Sequence, residues 1–142
     1  MKTKIYPYAL LLALVCLLSS CTKEEDDYIS KYCPGSCTEV SGQVLRGSGQ
    51  PIKNMQLLVT WQNLRTFKGD GGGIIRKKAV TYTDDNGNYT LRFLLRDDEM
   101  EEGHIEVAPQ GRGCSQVNCQ SYTLYWDVLK RDTTFTHNFL ID

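Results

Sequence analysis

Six cysteines and two histidines are the residues of this 142-residue chain best suited to chemistry. Cys33 and Cys37 form one close pair, and Cys114 and Cys119 another far downstream. In an exported chain four such cysteines form two disulfides, in one of three connectivities. Crossed pairs, such as Cys33 with Cys119 and Cys37 with Cys114, would staple distant segments and contribute on the order of 4 kcal/mol each. Local pairs would close small loops and stabilise less. A four-thiolate zinc site is the alternative, against which stand the oxidising compartment and the absence of two-residue spacings. Neither pair is Cys-x-x-Cys, which argues against a redox role.

The histidines, His104 and His137, have no carboxylate or cysteine pattern beside them. Catalysis needs a nucleophile, a base and an orienting group in mutual reach. A small hydrolase or metal-dependent enzyme would have to gather three or more of His104, His137, Asp84, Asp85, Asp97 and Asp98 at one point. The sequence carries neither Gly-x-Ser-x-Gly nor His-Glu-x-x-His. No enzyme, no cofactor and no metal site is therefore expected. Gly69-Asp70-Gly71-Gly72-Gly73 lacks the Gly-Lys-Ser/Thr ending of a phosphate loop and reads as a flexible loop. Its flanks are basic, with Arg65, Lys68, Arg76, Lys77 and Lys78 around Phe67. These residues, with Tyr125, are the expected partner contacts, because loops on a rigid scaffold and aromatic or Arg side chains carry much of binding. The acidic run at residues 97–102 is a counterpart that could neutralise the basic loop or hold a cation loosely.

These residues must be positioned by strands. Residues 40–45 read as a strand ended by the turn Gly47-Ser48-Gly49-Gln50-Pro51. Met55, Leu57, Val59 and Trp61 alternate with polar neighbours, as do Ile105 with Val107, Tyr122 to Val128, and Phe135 to Ile141. Residues 78–95 read as a hairpin around Asn86-Gly87, since both central residues of a type I′ turn need positive φ. That register sets Tyr82 against Leu91 and Val80 against Phe93. Seven strands with no convincing helix between them predict an all-β fold, a seven-stranded antiparallel sandwich of the immunoglobulin-like kind with two sheets packed face to face.

The first 20 residues read as a signal peptide, with a basic head and an apolar run too short to span a bilayer. Leu18-Ser19-Ser20-Cys21 resembles the lipobox of bacterial lipoproteins, which implies acylation of Cys21 and an ordinary signal peptide as the alternative. Cleavage there leaves 14 basic and 17 acidic residues, a mild net charge of −3 that implies no nucleic acid. Residues 21–37 are expected to be a lipidated, acidic tether and residues 38–142 the sandwich domain. Lys23-Glu24-Glu25-Asp26-Asp27 resembles the export signal of surface-exposed lipoproteins of the Bacteroidetes. The expected location is the outer membrane, at the cell surface or on its periplasmic face.

Val40-Ser41-Gly42-Gln43-Val44, then Gly49-Gln50-Pro51-Ile52-Lys53-Asn54-Met55, then Tyr82-Thr83-Asp84-Asp85-Asn86-Gly87-Asn88-Tyr89-Thr90-Leu91 resemble the carboxypeptidase regulatory-like domain. The resemblance covers residues 40–95 and implies a transthyretin-like sandwich, mostly non-catalytic, that accompanies enzymes, transporters and adhesins. On it rests the expectation of a non-catalytic, surface-anchored binding or structural module. The expected partners are membrane lipid through Cys21 and an outer-membrane transporter, another envelope protein or a glycan. An envelope hydrolase and a small-ligand carrier are the alternatives. Asp132-Thr133-Thr134 resembles the Bacteroidetes O-glycosylation motif, with Thr133 as the acceptor.

Overall fold

A computed structural model describes residues 23–26, 33, 35–63, 73–111, 114 and 119–141. Among these the chain is all-β but for one turn of helix. In chain order the elements are β1 (Lys23–Asp26), β2 (Thr38–Arg46), β3 (Gln56–Asn63), β4 (Ile74–Tyr82), β5 (Asn88–Phe93), α1 (Asp97–Glu101), β6 (His104–Gln110), β7 (Tyr122–Tyr125), β8 (Thr134–Thr136) and β9 (Phe139–Ile141). One sheet runs β1-β4-β3-β6-β7; the other runs β5-β2-β8, with β9 also paired to β2. The expected seven strands thus become nine, and the expected antiparallel pairing is mixed. β1 runs parallel to β4, while β8 and β9 both run parallel to β2.

The core forms where the two inner faces meet. Val40 and Val44 of β2 and Tyr89, Leu91 and Phe93 of β5 oppose Leu57, Val59 and Trp61 of β3 and Ile105 and Val107 of β6. The alternation read in the sequence gives these faces directly, because successive strand residues point to opposite sides. Each apolar side chain buried this way contributes roughly 1.5–3 kcal/mol. The sandwich has two ends. The turn end carries the loop between β4 and β5, and the helix end carries α1.

Residues 78–95 do not form a hairpin. β4 pairs with β3 and β1, whereas β5 pairs with β2 in the other sheet, so the loop is an arch between layers. Val80 and Tyr82 consequently face solvent, at 51% and 56% exposure, while Leu91 and Phe93 are buried. Asp84 organises the loop: its carboxylate accepts the backbone N–H of Asn86 and Asn88, and its carbonyl accepts that of Gly87. Only Gly87 is left-handed, with φ +76°, so the turn is not type I′. A Cβ at Gly87 would lie 2.6 Å from the Val44 carbonyl oxygen.

Two further segments depart from expectation. Lys23–Asp26, read as part of a solvated tether, adds a strand to the sheet edge, with Lys23 level with Ile74. The alternating stretch at residues 135–141 breaks into β8 and β9 at His137 and Asn138, where the His137 carbonyl packs against Gly42.

Candidate functional site

The outward face of β6 supplies the wall of a groove of about 650 Å³. Glu106, Ala108 and Gln110 project from the strand; Gln120, Ser121 and the Cys114–Cys119 disulfide close the other side. These residues lie outward because Ile105, Val107 and Pro109, their alternating neighbours, are buried. Glu106 is fixed from the adjacent strand by the Gln62 amide, whose nitrogen also donates to Thr60 Oγ1 at 3.0 Å. Thr60, Gln62, Glu106 and His104 share one face because the register sets Thr60 opposite Glu106 and Gln62 opposite His104. The result is a concave, mostly polar surface with one anchored carboxylate. Its volume lies in the range of small-molecule sites. Sequence alternation puts Glu106 and Gln110 on an outward face, but the groove needs the local disulfide, which spacing alone left open.

A second cluster is buried. At a bulge between Val59 and Thr60, β4 turns Lys78 inward, where its Nζ lies 2.7 Å from Glu99 Oε2 of α1. Arg76 reaches Asp98 at 2.8 Å and Glu99 at 3.4 Å and lies over the Trp61 ring, 4.6 Å from its centroid. Burial tends to raise the Asp98 pKa, but the hydrogen bond and charge of Arg76, with Arg96 adding, hold it below the usual carboxylate value. Glu99 Oε2 also accepts the Arg96 backbone N–H and so caps the helix. Lys78 and Arg76 were expected to meet a partner. They are instead committed to the acidic run, and Lys78 is fully enclosed. Lys77 is exposed, opposite Asp26 of β1. Arg65, Phe67 and Lys68 lie outside the described residues.

The third cluster is aromatic and closes the seam between the sheets. The Tyr122 and His137 rings stack at 4.1 Å and 7°, with Phe139 edge-on to His137 at 4.7 Å. Tyr89 Oη donates to the His137 carbonyl at 2.8 Å. Burial lowers the His137 pKa and raises that of Tyr89, to which the charge on Tyr122 adds. His104 is elsewhere, on the outward face beside Tyr125 at 5.8 Å between ring centroids.

The residues that the alternative, a hydrolase or metal-dependent enzyme, would have to gather are spread out. Asp84 and Asp85 sit at the turn end, Asp97 and Asp98 at the helix end, and the two histidines on opposite faces of the five-stranded sheet. Among the described residues no three His, Cys, Asp or Glu side chains are placed to hold a metal ion. The four downstream cysteines form local disulfides, Cys33–Cys37 and Cys114–Cys119, which leaves no thiolate among them for zinc. Thr133 is half-buried, and its hydroxyl donates to the Arg131 carbonyl at 3.2 Å. Tyr125 is 59% exposed. Cys21 and Asp27 lie outside the described residues, and no helix among those described is long and apolar enough to cross a membrane.

No protein-family model matches the sequence, and no curated protein matches it. Solved structures of similar fold do exist. The dioxygenase domain of a dioxygenase and carbohydrate-binding protein fusion from a Streptomyces species is 18% identical, covers 83% of this chain and 89% of its own, and gives a TM-score of 0.45. The 3-chlorocatechol 1,2-dioxygenase of Rhodococcus opacus is 13% identical over 87% of this chain and 67% of its own, with a TM-score of 0.44. Catechol 1,2-dioxygenase from an Acinetobacter species is 11% identical over 96% of this chain and 68% of its own, at 0.42. The expectation of a non-catalytic, non-enzymatic module is corrected against these findings, all three of which are dioxygenases by name, and it is carried no further. At these scores and identities they carry no particular activity to this chain.

Proposed function

We propose that this chain is an exported, lipid-anchored β-sandwich that takes a small polar ligand or substrate into the groove beside Cys114–Cys119. The carrying observation is the Glu106 carboxylate, held by Gln62 in a concave wall with Gln110, Gln120 and Ser121 around it. Such a wall offers hydrogen-bond acceptors and amide donors beside a smaller apolar part at Ala108 and Pro109, which suits a hydroxylated or amide-bearing molecule. Export and acylation of Cys21 are supported by the basic head, the short apolar run and the lipobox-like Leu18-Ser19-Ser20-Cys21. Lys23 to Asp27 favour the outer membrane and its outer face. The motifs at residues 40–44, 49–55 and 82–91 support a transthyretin-like, carboxypeptidase regulatory-like domain as the finer description of the fold.

The groove is tested by ligand-detected NMR with a panel of small hydroxylated and amide-bearing compounds against the wild-type and Glu106→Ala proteins. Compounds that bind the wild type and lose at least about tenfold in affinity on removal of the carboxylate support the reading, as expected for a charged hydrogen-bonding partner. Binding that Glu106→Ala leaves unchanged, or no binding by any compound, overturns it. Protease shaving of intact cells against a periplasmic control separates the two membrane faces.

A further inference from the structure

Three large exposed hydrophobic side chains occur together: Tyr125 at 59%, Trp126 at 51% and Val128 at 47% exposure. They occupy the end of β7 and the turn after it, which is pinned by the N–H groups of Val128 and Leu129 donating to the Tyr125 carbonyl at 3.0 and 3.2 Å. Leu129 is buried beneath. The exposed side chains therefore sit on a fixed turn. Val80, Tyr82 and Leu140, the other large exposed hydrophobics among the described residues, lie elsewhere on the sandwich.

The position of this turn relative to the chain's beginning gives it a partner. β1 pairs with β4 so that Lys23 is level with Ile74, which is itself opposite Asn63. One residue along, Ile75, Gln62, His104 and Tyr125 form a continuous row across four strands. Lys23 and Tyr125 thus lie within one residue step of each other in the register, at the helix end, on the two outermost strands of the sheet. Four strand spacings separate them, about 19 Å. Cys21 is two residues before Lys23, and two residues span at most about 7 Å. An acyl chain on Cys21 would hold the helix end against the bilayer, because β1 leaves no free tether between the anchor and the sheet.

We propose that the Tyr125, Trp126 and Val128 turn is a second membrane contact, which seats the helix end of the sandwich on the lipid surface. The inference rests on acylation of Cys21. Trp and Tyr suit the headgroup region because each has an apolar ring and a polar tip. The charges at this end add little to that preference. Asp127 lies between Trp126 and Val128, Glu101 is exposed on α1, and Asp97 and Asp98 are paired to Arg131 and Arg76. Lys130 is an exposed basic residue on the same segment. With Lys23 counted at this end these unpaired charges cancel, so the contact rests on the aromatic side chains and suits a zwitterionic surface.

The full chain is produced in its lipoprotein-processing host, purified, and reconstituted in phosphatidylcholine vesicles with and without bromine-labelled acyl chains. Trp126 and Trp61 are its only tryptophans, and Trp61 is buried. The expected result is bromine quenching of most of the exposed-tryptophan emission and its loss in Trp126→Phe. Mass spectrometry of the N-terminal peptide reads the acyl chains independently. Acylated protein with unquenched Trp126 overturns the membrane contact and leaves the anchor intact. Absence of acyl chains on Cys21 overturns both. Trp126→Phe changes an exposed residue, and unaltered circular dichroism verifies that the comparison is between folded proteins.

Discussion

Lys78 Nζ meets Glu99 Oε2 at 2.7 Å with both side chains wholly shielded from solvent. The pair joins β4 of the five-stranded sheet to α1, and Arg76 and the Arg96 backbone N–H complete the surroundings of the carboxylate. Removing one member weakens the compensation of the other: Glu99 keeps only the longer ion pair to Arg76, and Lys78 loses its closest carboxylate. Lys78→Met and Glu99→Leu should each therefore lower stability by roughly 3–5 kcal/mol. The double variant should regain a large part of that loss, because two buried charges would have been exchanged for apolar packing. Urea unfolding of the three variants checks this. Single losses that simply add in the double variant would show that the two side chains are not coupled.

Gly42 has a similarly local role. A Cβ there would lie 1.8 Å from the His137 carbonyl oxygen, a backbone atom that the break between β8 and β9 holds in place. The same carbonyl accepts the Tyr89 hydroxyl. Gly42→Ala should displace it and cost about 3 kcal/mol, the upper range for overpacking a fixed site. A denaturant midpoint close to that of the wild type would show that this crossing can relax.

The parts of this fold that follow from alternation were legible, and the parts that depend on which layer a strand joins were not. Leu57, Val59 and Trp61, or Leu91 and Phe93, can only be inward residues of strands. Val80 and Tyr82 carry the same pattern yet face solvent, because β4 and β5 belong to different sheets. Parity is identical for a hairpin and for an arch, so counting residues across Asn86-Gly87 could not separate them. The burial of Lys78 was hidden for a related reason: it needs a bulge in β4 and a carboxylate from a helix one turn long. The acidic run at residues 97–102 was visible as a counterpart to the basic residues, and Asp98 and Glu99 are the members that meet them. The groove was the least legible, since Glu106 and Ser121 come together only through the pairing of β6 with β7 and the local disulfide.

That disulfide gives a third prediction. Cys114–Cys119 and Cys33–Cys37 close loops of only a few residues. Such closures contribute about 2 kcal/mol each on the chain-entropy model, less than crossed pairs would. Digestion of the non-reduced protein should release Cys33 joined to Cys37 and Cys114 joined to Cys119, with no peptide linking the two regions. Cys114→Ser with Cys119→Ser should lower stability by that modest amount while leaving the core strands folded. A crossed peptide would refute the local pairing, and with it the wall of the groove.

The aromatic seam sets a pH window. Burial holds the His137 pKa below 6.5, so the folded state favours the neutral ring that stacks on Tyr122. A folded value below the unfolded one means that the contribution is complete above pH 6.5 and is lost as pH falls through the lowered folded value. Tyr89 works in the other direction. Burial first, and the charge on Tyr122 second, raise its pKa above the ordinary 10.0. Its contribution is complete below pH 10 and is lost as pH rises through the raised folded value. Stability from this seam should thus be flat between about pH 6.5 and 10 and fall on both sides. The carboxylates Asp84 and Asp98 do not obscure the acid arm, because their pKa values are lowered from 3.8 and they act only at lower pH. His137→Phe keeps an aromatic ring against Tyr122 and should flatten the profile between pH 5 and 7. Tyr89→Phe should flatten the alkaline arm and cost about 1 kcal/mol at neutral pH for the lost hydrogen bond to the His137 carbonyl. Urea midpoints measured from pH 5 to 11 for the wild type and both variants would decide it. An acid arm unchanged by His137→Phe would mean that another group, not the stacked imidazole, titrates there.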